Sequence, residues 1–141
     1  MVAITRISSA AAIAATNTLV DLLDNSGPGR VDILDGTQPA TVNTAITDQT
    51  VLGSLTLSNP AFGNATDQGS FARAVANAVG QDISANAAGT ATWFRAYDGA
   101  GNAIIDGNAG VTDEAMILNN AEIALNDTID ITSWNVELAE A

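Results

Sequence analysis

The sequence predicts a mainly β domain in which one N-terminal α-helix precedes an antiparallel β-sandwich or jelly-roll-like barrel. Three observations predict it. Apolar residues near the start recur at helical spacing, and beyond Gly27-Pro28-Gly29 the period changes from 3.6 to 2. About seven short runs of β-forming residues then follow at roughly even intervals, separated by turn residues. No linker and no internal repeat divides the 141 residues. We therefore expect one domain over 1–141, with the helix at about 8–24 and the β-domain at about 30–139.

In the first element, Ala12, Ile13, Thr16, Leu19, Val20 and Leu23 form one stripe, with Ser8 or Ser9 as N-cap and Asn25-Ser26-Gly27-Pro28-Gly29 as the stop. The stripe either covers the core or docks on a neighbouring subunit. Val31 and Ile33 then alternate with Asp32 and Leu34 in a short strand closed by Asp35-Gly36, and Thr37 to Thr50 is a polar connection. In the next strand Val51, Leu55 and Leu57 share one face, and Leu52, Ser54, Thr56 and Ser58 the other. Asn59-Pro60 and Phe62-Gly63-Asn64 interrupt the pairing. Phe71 to Val79 fits a helix or a strand, and the flanking strands favour a strand. Thr90 to Tyr97, the turn Asp98-Gly99-Ala100-Gly101-Asn102 and Ala103 to Asp106 make a β-hairpin, with Trp93, Arg95 and Tyr97 on one face and Phe94 on the other. Strands at Ala115 to Leu118 and Glu122 to Leu125 lead to a turn at Asn126-Asp127. In the last strand, Thr128 to Leu138, the apolar parity switches near Ser133, which predicts a β-bulge.

Composition excludes much chemistry. There is no histidine and no cysteine, and the four basic residues are all arginine: Arg6, Arg30, Arg73 and Arg95. A Ser-His-Asp triad, a thiol nucleophile, a disulfide, an ordinary zinc site and a lysine Schiff base are all ruled out. A net charge of −12 makes nucleic acid and anionic membrane improbable partners, because both are met with positive charge. No apolar run is long enough to span a bilayer. Met1 to Ala15 only loosely suggests a signal peptide, its apolar part being short and interrupted, and we expect an unprocessed start and synthesis in a cytoplasm.

Carboxylates are the one plentiful reactive group. The candidate pairs for hydrolysis are Asp32 with Asp35, Asp98 with Asp106, and Asp113 with Glu114. Solvated surface charge and turn chemistry explain the same residues, and we expect no catalytic residue and no cofactor. Asp98-Gly-Ala-Gly-Asn102, with Asp106, is the best candidate for a weak calcium loop, but it lacks the alternating acidic positions of an EF-hand, and Asp-Gly suits a hairpin turn by itself. We therefore assign no metal site. Gly99, Gly101 and Gly107 lack the strand-loop-helix context of a phosphate loop. Arg95 between Trp93 and Tyr97 reads as a stacked structural arginine. Large side chains are few, with 4% aromatics, so the core is thin and subunit contacts would add stability. The acidity keeps a surface solvated and is also typical of proteins from salty surroundings.

Several stretches together carry a resemblance: Leu22-Leu-Asp24, Ser26-Gly-Pro-Gly29, Asp35-Gly-Thr-Gln-Pro-Ala40, Leu55-Thr-Leu-Ser-Asn-Pro-Ala-Phe-Gly63, Gly89-Thr-Ala-Thr-Trp-Phe-Arg95 and Asp106-Gly107. From about Leu19 to Trp134 the chain resembles a family of small proteins of tailed bacteriophages, built from an N-terminal helix followed by strands. Where members often carry a glycine in the turn before the last strand, this chain has Asn126-Asp127. The resemblance implies a non-enzymatic virion protein on the capsid surface, a decoration or cement protein whose partners are the major capsid protein and copies of itself, commonly as a trimer. A tail, neck or fibre-associated protein is the nearest alternative, and a glycan-binding module using Trp93, Tyr97 or Trp134 the next. The expected contact residues are Met1, Ile4, Ile7, Ile13, Pro28 and Arg30.

Overall fold

The computed structural model describes residues 5–141. Helix α1 covers Ser9–Asp21 and a single 3-10 turn, Leu22–Asp24, extends it. Ser8 is the cap: its backbone is extended and its hydroxyl accepts from the Ala11 amide at 3.1 Å, satisfying one of the donors a helix start leaves open. Ala12, Thr16 and Val20 are buried at four-residue spacing, and Leu23 continues the stripe. The chain turns out of the helix at Ser26 and Gly27, both with positive φ, where glycine carries no steric penalty.

Ten strands follow: β1 Arg30–Leu34, β2 Val51–Thr56, β3 Thr66–Asp67, β4 Phe71–Val75, β5 Gly89–Thr90, β6 Trp93–Tyr97, β7 Ala103–Gly110, β8 Met116–Leu118, β9 Glu122–Ile123 and β10 Ile131–Ala139. Eight form one sheet in the order β2-β1-β6-β7-β8-β10-β4-β3, and β5 pairs with β9. Phe71 to Val75 is thus a strand, and the hairpin is β6–β7. Neighbours are antiparallel except β7 and β8, which run parallel over Ala109–Met116 and Gly110–Ile117. The sequence pattern did not anticipate that parallel pair.

The β2 edge of the sheet is joined back to the chain ahead of β10. Segment 80–86 borders β2, with Gly80 N–H donating to Thr56 O at 3.0 Å and Asn86 N–H to Leu52 O at 2.7 Å. On its other side Asp82 exchanges amide bonds with Ile129, just ahead of β10. The result is a barrel-like wall around an interior filled by Val31, Ile33, Leu55, Phe94, Met116 and Trp134. Trp134 meets Phe62 and Phe94 edge to face at 4.7 and 5.1 Å, the arrangement aromatic quadrupoles favour. Helix α1 lies on β4, β10 and β3, over the fully covered Ala72 and Ala74. Asn17 and Asp24 fasten it by accepting the Ala65 and Ala61 amides at 2.7 and 2.8 Å.

Two irregularities place apolar residues that strict alternation would misplace. The register slips between Ile131 and Ser133 where β10 pairs with β8, the bulge predicted near Ser133, so Trp134 and Val136 turn inward. A second slip, between Ile33 and Leu34, makes Leu52 the extra residue of β2. Leu52 is therefore buried as completely as Leu55, although the two have opposite parity.

Candidate functional site

The outward face of β1, β6 and β7 carries Asp32, Arg95, Tyr97 and Asp106 side by side, because Asp32 pairs with Arg95 and Arg95 with Asp106 across the strands. Arg95 makes a two-pronged ion pair with Asp106, Nε to Oδ1 at 2.7 Å and Nη2 to Oδ2 at 2.8 Å. Its Nη1 donates to Thr44 O at 2.8 Å, which holds the 37–50 connection over this face. The guanidinium also lies 5.4 Å from the centre of the Trp93 ring. Hydrogen bonding to Asp106 holds the Arg95 pKa above its ordinary value, against the lowering effect of burial. Beside it, Asp32 accepts from Ser54 Oγ at 2.6 Å and from Arg30 Nε at 3.3 Å. Burial pushes the Tyr97 phenol up, and Asp32 adds to the shift. Arg95 is thus the stacked structural arginine expected from its neighbours.

Asp98 organises the hairpin turn. Its Oδ1 accepts the amides of Ala100 and Asn102 at 3.0 and 2.8 Å, and its Oδ2 accepts Asn102 Nδ2 and Asn25 Nδ2 at 3.1 and 3.2 Å. Those bonds, the Asn102 amide foremost, lower its pKa to about 2. Both oxygens of Asp98 serve the turn and both oxygens of Asp106 hold Arg95, so the two carboxylates singled out for catalysis or calcium serve different partners. Among the other candidates, Asp35 Oδ1 accepts the Thr50 amide and closes the base of the 37–50 connection, and Glu114 Oε2 accepts the Thr112 amide at 2.9 Å. Among the described residues no three acidic side chains are grouped to hold a metal ion.

Trp93 and Trp134 are each 1% exposed, and Trp93 Nε1 donates to Asp35 O at 2.9 Å. Neither ring offers a face for a sugar. Of the contact residues expected from the sequence, Met1 and Ile4 lie outside the described residues. Ile7 is half-buried, and its amide donates to Glu140 O at 2.9 Å. Ile13 is half-buried against the core. Pro28 is exposed, while Arg30 stands 4.0 Å over the Tyr97 ring. Ile7 precedes and Pro28 follows a helix whose 13 residues measure roughly 20 Å, so the two positions lie beyond opposite ends of that helix.

One feature lay beyond sequence reasoning because it depends on strand order. Between β7 and β10, beyond the short β8, a cavity of about 240 Å³ opens over Leu19, Phe94, Ile105 and Val136. A neighbouring cavity of about 380 Å³ shares Ala115, Asn135 and Glu137 with it and is rimmed by Asp113 and Glu114. No helix among the described residues is long and apolar enough to cross a membrane. No protein-family model, curated protein or solved structure matches the chain.

Proposed function

We propose that the chain is a non-enzymatic structural protein of a tailed-bacteriophage virion, a capsid decoration or cement protein. It binds the outer shell as a homo-oligomer, a trimer by preference, and braces joints between capsomers. Its partners in this reading are the major capsid protein and copies of itself. The motif resemblance supplies the class. The observation that carries the reading in the fold is the employment of the reactive groups: Arg95, Asp106, Asp98, Asp32 and Asp35 are each engaged in fastening a turn, a loop or a strand. A small β-domain fastened in this way suits mechanical support. Many weak contacts repeated by symmetry then add to a strong brace through avidity, and the acidic surface faces solvent, away from packaged nucleic acid.

The test is reconstitution. Purified chain is added to shells that lack it, and bound copies and the rupture temperature of the particles are measured. Saturable binding in multiples of three with a raised rupture temperature is expected. Binding only to tails or necks moves the function to the tail, neck or fibre-associated alternative, and no binding to any virion part contradicts the reading. In the same assay, deleting residues 1–7 is expected to release the protein, and replacing Arg30 tests the turn at Ser26 to Arg30.

A further inference from the structure

Strand β7 changes character along its length. Ala109 and Gly110, which pair with β8, are buried, whereas Ala103 to Gly107 are half-exposed. Strand β10 shows the complementary pattern: Ile131 to Trp134 pair with β8, while Asn135 to Ala139 pair only with β4. The two strands thus part at Ala115, whose carbonyl takes the Asn135 amide at 3.1 Å and whose amide donates to Asn108 Oδ1 at 2.8 Å. Beyond that point two strand edges face each other across the 240 Å³ groove.

Hydrogen-bond alternation shows which backbone groups point into this seam. Ala76 N–H donates to Trp134 O and Glu140 N–H to Ser70 O, so even-numbered residues of β10 serve β4, and Glu137 and Ala139 turn their N–H and C=O groups toward the seam. On β7, Ala109 N–H donates to Thr92 O, so Asp106 and Asn108 turn theirs toward it from the other side. Open edges of this kind are templates for an added strand.

We infer that the seam between β7 and β10 is a strand-docking site and that its occupant is the N-terminal segment, residues 1–6, of a second copy of the chain. The inference rests on the homo-oligomer of the proposed function. Charge selects the segment: the rim holds Asp113 and Glu114 beside Glu137, which is paired with Arg73, and residues 1–20 are the longest stretch of this acidic chain without Asp or Glu. They carry Arg6. Val2, Ile4 and Thr5 favour an extended strand, in which Val2 and Ile4 share the face that meets the apolar floor of Leu19, Phe94 and Ile105. Six residues span roughly 20 Å, enough to follow the edge from Asn135 to Ala139. Within one chain the Ile7 amide is bonded to Glu140 O, on a residue whose own amide serves the β4 side of β10. Docking in trans around a ring closes with cyclic symmetry.

The absence of cysteine gives a clean test on the purified full chain. Two double variants, Ile4→Cys with Ala139→Cys and Val2→Cys with Ala139→Cys, are oxidised and run without reductant. Covalent dimers and higher multiples from at least one variant are expected. A disulfide confined to monomers, or no disulfide in either, overturns the inference. A chain lacking residues 1–6 is expected to keep its buried-tryptophan emission and to run as a single copy; if it keeps the oligomeric state of the full chain, or if the full chain is itself monomeric, the inference falls. These measurements use no particles, so failure of strand docking and failure of the virion reading are read separately.

Discussion

Arg95 and Asp106 face each other in register on β6 and β7 and form a two-pronged ion pair in which each side chain is 4% exposed. The same guanidinium takes the Thr44 carbonyl, so one cation joins the hairpin to the 37–50 connection. Removing either partner leaves a buried charge without its counterpart, at a cost of about 3–5 kcal/mol. Arg95→Met and Asp106→Leu are each expected to lower the urea midpoint strongly, and the double variant to lose less than either single change. Additive losses would contradict the pairing.

Asp98 makes the turn sensitive to acid. Its folded pKa, about 2, lies below the ordinary carboxylate value of about 3.9. Its contribution is therefore complete above about pH 4 and is lost as pH falls toward about 2. The thermal midpoint of the wild type is expected to fall more steeply across that window than that of Asp98→Asn, whose amide does not titrate. Parallel curves would contradict this role.

The backbone of the turn after α1 lies directly against the hairpin. A Cβ at Gly29 would collide with the Tyr97 carbonyl oxygen and stand 2.9 Å from Leu23 O. Both obstacles are main chain and cannot rotate away. Gly29→Ala is expected to cost about 1–3 kcal/mol or more by overpacking. Gly27→Ala, with open space around it but a φ of 98°, is expected to cost about 1–2 kcal/mol through backbone strain alone. Chemical denaturation of the two variants checks the order.

Trp134 is an aromatic hub without a hydrogen bond: its buried Nε1 has no partner among the described residues. Trp134→Ala is expected to cost about 3–5 kcal/mol. Trp134→Phe is expected to cost much less, because no hydrogen bond is broken. With Trp93 also buried, tryptophan emission is expected to be blue-shifted and unchanged by added oligosaccharides. A sugar-dependent shift would favour the glycan-binding alternative.

The helix, the hairpin and the last bulge were legible in the sequence because each depends on local chemistry: the Ser8 cap, the Gly27-Pro28 stop, the Asp98 turn and the parity switch near Ser133. Residues 31–34 were only half legible. Alternation set Val31 and Ile33 on one face and Asp32 and Leu34 on the other without saying which is covered; all four residues are buried, because the 37–50 connection lies over the face of Asp32, tied down through Arg95. A loop's path over a sheet leaves no period in the sequence. The β7–β8 pair was hidden for a related reason, since two residues of parallel pairing carry no pattern of their own. The seam beside it follows from strand order alone. Asp106 was singled out as a carboxylate, but its role as the counterion of Arg95 emerges only once the hairpin register is known.

The most direct test of the virion reading is a cryo-electron-microscopy map of purified virions with this chain fitted into it. Density for the barrel at icosahedral three-fold or quasi-three-fold positions on the outer shell is the expected result. Density confined to the tail would assign the chain to the tail or neck, and its absence from the particle would contradict a structural role in the virion.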